Sequence, residues 1–293
     1  IRHPGLGAWN QKLNGKLNPT MPGSVFIGKE SRFHGSGGFF EPEFGPLAIS
    51  DPKSGLKHAQ SSLRGDRLQR RIDLSKDLDV EFLERYHSNP IRAYGDMYAD
   101  AVRLMESPDL AAFSINKEDK KTRQRYGDDP FGQGCLLARR LIESNVRTVE
   151  VSLSGWDTHT NNFTSMPLLC QTMDQAMGAL LEDLESSGKL DETVVVLTTE
   201  FGRTPIVNRN IGRDHYPQAF TSVLAGGGFK GGYVYGKTSE GAEEVVEKPI
   251  TIPDFNATIA YALGIPTDLV LYSPSKRPFS VAHKGQPVLD LFA

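Results

Sequence analysis

Cysteine is nearly absent. Cys135 and Cys170 are the only two in 293 residues, which excludes a disulfide-stapled scaffold; both lie in apolar helical patterns and are expected as buried thiols rather than a redox pair. No run approaches the roughly 18 apolar residues a membrane helix needs, and the start of the chain lacks the basic-then-apolar pattern of a signal peptide. A charge excess is missing as well: 33 Lys and Arg stand against 36 Asp and Glu, a formal net charge of -3, so no basic field draws in nucleic acid. The basic stretch at 117–125 is interrupted by Glu118 and Asp119 and reads as a solvated helical face. There is no internal repeat and no low-complexity tract. Gly226-Gly227-Gly228 and Gly231-Gly232 lack the lysine and following Ser or Thr of a phosphate loop and read as tight turns. An initiator methionine is lacking too: the chain opens on Ile1-Arg2-His3-Pro4, which predicts a processed or partial chain.

What is present suits a globular fold, with 38% hydrophobic residues over a length sufficient for one large domain or two modest ones. Residues 1–60 are rich in Gly, Pro, Ser and Asn and are expected to be mostly loop, with Ser24-Val25-Phe26-Ile27 as one candidate strand. Residues 61–128 read as a helical subdomain or insertion, with breaks at Pro90 and Pro108 and Met97, Ala101 and Leu104 on one face. Residues 129–293 read as an α/β core. There, Leu137, Ala138, Leu141 and Ile142 mark a helical face, and Thr148 to Leu153 a strand. Met166, Leu169, Met173, Met177, Leu180 and Leu184 predict a helix capped by Thr164 or Ser165 and stopped by Gly188. Thr193 to Thr198 has the nearly continuous apolar run of a strand covered on both faces, and Phe220 to Ala225 reads as a third strand. Asp254 is expected to cap a short helix that Gly264 and Pro266 end. Alternating helices and strands predict a three-layer α/β/α sandwich around a mainly parallel sheet.

In open α/β sheets ligands bind beyond the carboxyl ends of the strands, and that rule selects residues. The strand ending at Leu153 leads into Asp157 and His159; the one ending near Thr199 leads into Glu200 and Arg203; the loop before the third strand holds Asp214 and His215, at the opposite end of that strand unless the loop folds back over the sheet. Asp157, His159, Glu200 and His215 are the candidate metal ligands, expected to share one crevice. Histidines with carboxylates suit zinc first, with manganese, magnesium or calcium as alternatives. Arg203 and Asp214 are the candidate catalytic residues at the edge: the guanidinium to neutralise an oxyanion in bidentate fashion, the carboxylate to contribute directly or to orient His215. Plainer roles exist for some of them. Asp157 would also serve as a turn cap, and Glu200 would pair with Arg203. His3, His34, His58, His87 and His283 have no acidic partner pattern and are set aside.

Several segments together resemble a known family. They are Cys135-Leu136-Leu137-Ala138-Arg139-Arg140-Leu141, Gly155-Trp156-Asp157-Thr158-His159, Thr199-Glu200-Phe201-Gly202-Arg203-Thr204-Pro205 and Gly212-Arg213-Asp214-His215, with Ala225-Gly226-Gly227-Gly228 and Ala262-Leu263-Gly264-Ile265 behind them. In this order they are similar to a bacterial domain-of-unknown-function family, number 1501, which the resemblance attaches to the alkaline phosphatase/sulfatase superfamily as a sulfatase-like branch. The resemblance implies export, an alkaline phosphatase-like fold, and a mono- or dinuclear metal site working with a Ser, Thr or modified Cys nucleophile on phosphate or sulfate esters. It implies that Asp157, His159 and His215 serve a first metal and Glu200 a second. Phe201 stands where active relatives carry a histidine, and no nucleophile is evident, so the superfamily's N-terminal strands are expected to be missing from this chain. Two expectations follow: a metal-dependent hydrolase of small anionic esters, or a degenerate member that binds a metal or anion without turnover. Neither nucleic acid nor a membrane span is expected.

Overall fold

The computed structural model describes residues 2–29, 35–59, 66–86 and 89–293, and side chains outside 81–94; His34 and His87 lie outside the described residues. The chain divides into two compact units, one of Ile1–Gln124 with Gln133–Ser152, the other of Arg125–Gly132 with Leu153–Ala293.

In chain order the first part carries α1 (Leu6–Asn14), β1 (Ser24–Ile27), β2 (Leu47–Ile49), α2 (Arg67–Tyr86), α3 (Asn89–Glu106), α4 (Lys120–Tyr126), α5 (Pro130–Glu143) and β3 (Thr148–Val151). The three strands form one parallel sheet in the order β2-β1-β3. The central strand is buried along its whole length, with Val25, Phe26 and Ile27 sealed from solvent, as a parallel strand covered on both faces should be. Helices approach this sheet where small residues let them. A methyl at Gly7 of α1 would fall 2.6 Å from Ser24 Oγ and 3.2 Å from Thr148 Cγ2; one at Gly134 of α5 would fall 2.9 Å from Val151 Cγ1 and 3.2 Å from Ile27 Cγ2. Side chains alternate along a strand, so Ser24 and Ile27 lie on opposite faces and the two helices cover opposite sides. Asn10 of α1 adds a 3.2 Å hydrogen bond to Thr148 Oγ1, and the α5 face of Leu136, Leu137 and Leu141 is completely buried.

Two of these three strands come from the segment expected to be mostly loop. β1 matches the expected strand; β2, three residues between a Pro and a Ser, is too short to carry a periodic signal. Within 61–128 the described residues include α2, α3 and α4. Pro90 and Pro108 stand in the first turns of α3 and of the 3-10 helix Pro108–Phe113, where the missing N–H costs nothing. On α3, Leu104 is buried but Met97 and Ala101 are exposed, so the expected face is not the one that packs.

The second unit holds α6 (Asn162–Ser186), β4 (Val195–Leu197), β5 (Gly202–Arg203), β6 (His215–Tyr216), β7 (Val223–Ala225), β8 (Lys237–Thr238), β9 (Val245–Glu247) and α7 (Ile252–Ala262). β4 pairs antiparallel with β7, β5 with β6, and β8 with β9. The expectation of one mainly parallel sheet through both the Val149 and Val195 runs is therefore corrected: they fall in separate sheets, and the parallel character belongs to β2-β1-β3. An apolar run makes a strand without choosing its partner. Two caps also differ from expectation. α6 starts before Thr164 and Ser165, with Asn161 at its N-cap in the left-handed region. α7 is capped by Thr251, whose hydroxyl accepts from the Asp254 amide at 3.2 Å, while Asp254 takes the Thr251 hydroxyl and the Gln286 amide at 2.6 and 2.8 Å. Gly188 and Gly264 follow their helices in the left-handed conformation as expected. Cys135 is buried, but Cys170 is exposed, because on α6 the buried stripe runs through Ala176, Ala179, Leu180 and Leu184.

Candidate functional site

Two chain segments build the site. The first is the loop ahead of α6, carrying Asp157 and His159; the second is the β5–β6 pair with its connecting loop. In the two-residue β5–β6 ladder, Gly202 faces Tyr216 and Arg203 faces His215. The ladder is extended by Thr204, whose amide donates to Asp214 O at 2.9 Å and whose hydroxyl accepts from the Asp214 amide at 3.1 Å.

The first amides of a helix have no partner within the helix, and here they hold the two segments together. The amides of Asn161 and Asn162 donate to the carbonyls of Asn210 and Ile211 at 3.2 and 2.9 Å, and the Arg213 amide donates to Thr158 O at 3.0 Å. Buried Thr158 donates to Asn162 Oδ1 at 2.6 Å. The backbones meet at Gly212, where an added Cβ would lie 2.0 Å from His159 O. No other residue fits there. Beside it Ile211 takes φ +56°, an outlier for a β-branched residue held by this lacing.

The result is a triangle of potential ligand atoms. Asp157 Oδ1 lies 3.1 Å from His159 Nε2 and 2.9 Å from His215 Nε2, and the two nitrogens are 3.2 Å apart. Among the described residues this is the group of His, Cys, Asp or Glu whose atoms meet closely enough to share an ion. Donors about 2.0–2.1 Å from a tetrahedral zinc stand roughly 3.3–3.4 Å apart, and those cis on an octahedral ion of that bond length about 3 Å. The observed edges fall in and just below that range, so the residues fit a small divalent cation. His159 Nδ1 meets Asp214 Oδ1 at 2.7 Å. A carboxylate oxygen only accepts, so Nδ1 carries a proton, and in the neutral form of the ring the lone pair is on Nε2, facing the triangle.

Arg203 Nη2 donates to Asp157 Oδ1 at 2.5 Å, and Nη1 to Arg213 O at 3.1 Å. That bond first, and the one from His215 second, lower the Asp157 carboxyl to about 2. Asp214 is also held below its ordinary range, by His159 and then by Asn208. Burial is not the cause, since the Asp157, His159 and His215 side chains are 68%, 43% and 49% exposed. The site lies open to solvent rather than sunk in a crevice.

Five of the six expected site residues come together. Glu200 does not: it is exposed at the end of the β4 segment and is outside the group of meeting ligand atoms. Arg203 pairs with Asp157, where the plainer reading had it with Glu200, and Asp214 bonds His159 rather than His215. Phe201 packs its ring on that of His215, centroids 4.5 Å apart. Sequence reasoning missed Asn208, which donates to His159 O at 3.0 Å and Asp214 Oδ1 at 3.1 Å. Its signal in the sequence, an Asn two residues before another Asn in a turn-like stretch, marks a turn and nothing more.

No curated protein and no solved structure matches the chain. A family model does, over residues 1–292, described as "Protein of unknown function (DUF1501)". Extending over all but the last residue, that match shows that the chain belongs to this family.

Proposed function

We propose that the chain is a metal-dependent hydrolase of phosphate or sulfate esters, of the sulfatase or alkaline phosphatase type, acting on a small anionic substrate. The observation that carries this reading is the triangle of Asp157 Oδ1, His159 Nε2 and His215 Nε2, with edges of 2.9 to 3.2 Å and Arg203 bonded to its carboxylate corner. Asp157, His159 and His215 would hold the ion, zinc before manganese, magnesium or calcium. Once bound, it would supply Lewis acidity toward an ester oxygen and acidify a coordinated water or hydroxyl. Arg203 keeps Asp157 ionised and brings a fixed positive charge beside the ligands, where a tetrahedral anion is attracted. Asp214 fixes the ring of His159. Glu200 enters as a second-metal ligand only if its segment closes on the cluster. The resemblance also attaches the β2-β1-β3 sheet to an alkaline phosphatase-like sandwich and the protein to an exported location.

A second reading, a member that binds a metal or anion without turnover, is favoured by Phe201, which packs on His215 where active relatives carry a histidine. It is also favoured because, among the described residues, no Ser, Thr or Cys side chain hydrogen-bonds to the Asp157, His159, His215 or Arg203 side chains. The experiment that separates the two strips the protein with a chelator and reloads it with zinc, manganese, magnesium or calcium, then assays aryl phosphate and aryl sulfate esters. Metal-dependent turnover lost in His159→Ala and His215→Ala is the expected result. Tight binding without turnover on either ester would favour the second reading, and failure of all four ions to bind would sink the hydrolase and reduce the second reading to an anion-binding protein.

A further inference from the structure

We infer that Asn208 is a positioning residue: its side-chain amide holds Asp214 in the place that fixes the tautomer of His159, and so aims the His159 Nε2 lone pair at Asp157 and His215. A primary amide has two N–H donors and two acceptor lone pairs, and Asn208 uses all four. Nδ2 donates to His159 O at 3.0 Å and to Asp214 Oδ1 at 3.1 Å; Oδ1 accepts the Asn210 amide at 2.9 Å and the Gly212 amide at 3.0 Å. Its orientation is therefore dictated by its partners. Flipped, the NH2 group would oppose two backbone N–H groups, and the carbonyl would oppose a carbonyl and a carboxylate.

The consequence passes through one atom. Asp214 Oδ1 receives both Asn208 Nδ2 and His159 Nδ1, the latter at 2.7 Å, so the amide anchors the acceptor that keeps the proton on Nδ1. Asn208 also bonds the His159 backbone carbonyl, locking the main chain on which that ring is mounted. One side chain thereby ties the 208–212 turn, the second carboxylate and the imidazole into a single unit. Partners of this kind change metal affinity by about 10–100-fold without touching the ion.

The effect on affinity rests on the metal reading above; the tautomer does not. The test is ¹⁵N NMR of imidazole-labelled, metal-free protein at alkaline pH, where the ring is neutral, combined with zinc titration calorimetry. Wild type is expected to show His159 protonated at Nδ1. Asn208→Ala should bring in the Nε2-protonated form and weaken zinc by about 10–100-fold. Asn208→Asp keeps both acceptor contacts to the turn but loses both donors, so a similar tautomer change in that variant shows positioning rather than mere anchoring of the loop. Asp214→Ala, which removes the acceptor, should give the Nε2-protonated ring outright. An Nε2-protonated His159 in wild type, or an unchanged tautomer in folded Asn208→Ala and Asn208→Asp, overturns the inference. A tautomer change in a protein that binds no zinc upholds it while sinking the metal reading.

Discussion

The Nε2 atoms of His159 and His215 stand 3.2 Å apart, with Asp157 Oδ1 within 3.1 Å of both. With a proton held on Nδ1 by Asp214, the neutral ring of His159 presents a lone pair at Nε2. Two lone pairs cannot face each other at that distance without repulsion, so the pair needs either a proton on one of the two nitrogens or a shared cation. On the metal reading proposed above, a divalent ion would take the place of that proton.

Zinc affinity should separate three of the six candidate residues. Removing a histidine from the triangle, His159→Ala or His215→Ala, should weaken zinc by more than about 100-fold, beyond the 10–100-fold effect of losing a ligand's neighbour. Glu200→Gln, exposed and outside the cluster, should change it by less than about twofold by the same comparison. Titration calorimetry on the three variants checks the ranking, and a Glu200→Gln loss as large as the histidine losses would show that this carboxylate does join the ligands.

Acid should erase what Asp157 contributes to stability. Its carboxyl is lowered from 3.8 to about 2 by Arg203 and then His215. A group depressed on folding stabilises the native state above its unfolded value, and that contribution fades as pH falls through the folded one. The difference in melting temperature between wild type and Asp157→Asn should therefore be constant near neutral pH and shrink between 3.8 and about 2. Salt should diminish it too, because the pair is exposed. A gap that widens on acidification would contradict this assignment.

Gly212→Ala should damage both fold and site. The new methyl would sit 2.0 Å from His159 O, so either the 208–212 turn or the His159 backbone has to move. Overpacking of this kind costs about 1–3 kcal/mol, and displacement of His159 should weaken zinc in the same variant. Thermal melts with and without zinc measure the two losses together, and a stable variant with wild-type affinity would show that the close approach is dispensable.

In the first unit, Arg140 makes the sharpest stability prediction. Its guanidinium donates to the carbonyls of Ala111 and Ala112 at 2.9 and 3.0 Å and pairs with Glu118, both side chains being largely buried. Arg140→Ala would leave Glu118 with one fewer cation and take the guanidinium from Ala112 O, while Ala111 O keeps the Ser114 amide, at a cost of about 3 kcal/mol. Urea unfolding of the variant measures it; a loss under about 0.5 kcal/mol would place the pair among ordinary surface bridges.

The sequence by itself determined what short-range physics determines. β-branched runs marked β1, β3, β4 and β7, threes-and-fours spacing marked α5 and α6, and the rule of ligands beyond strand ends selected Asp157, His159, Glu200 and Arg203, with Asp214 and His215 added from the loop before the third strand. Tertiary structure decided the pairings. That β3 joins β1 and β2, while β4 turns antiparallel to β7, depends on hydrogen bonds between residues more than a hundred positions apart in one case and about thirty in the other, and side-chain periodicity carries no record of them. The same holds within the site. Glu200 and Arg203 sit three residues apart, yet only Arg203 reaches Asp157, because the β5–β6 register places it opposite His215. Asp214 adjoins His215 in the chain and bonds His159 instead, since the loop laced onto the start of α6 turns its carboxylate that way. Residue type limits which hydrogen bonds and ligands a side chain can offer; only the meeting of distant backbones decides which of them it makes.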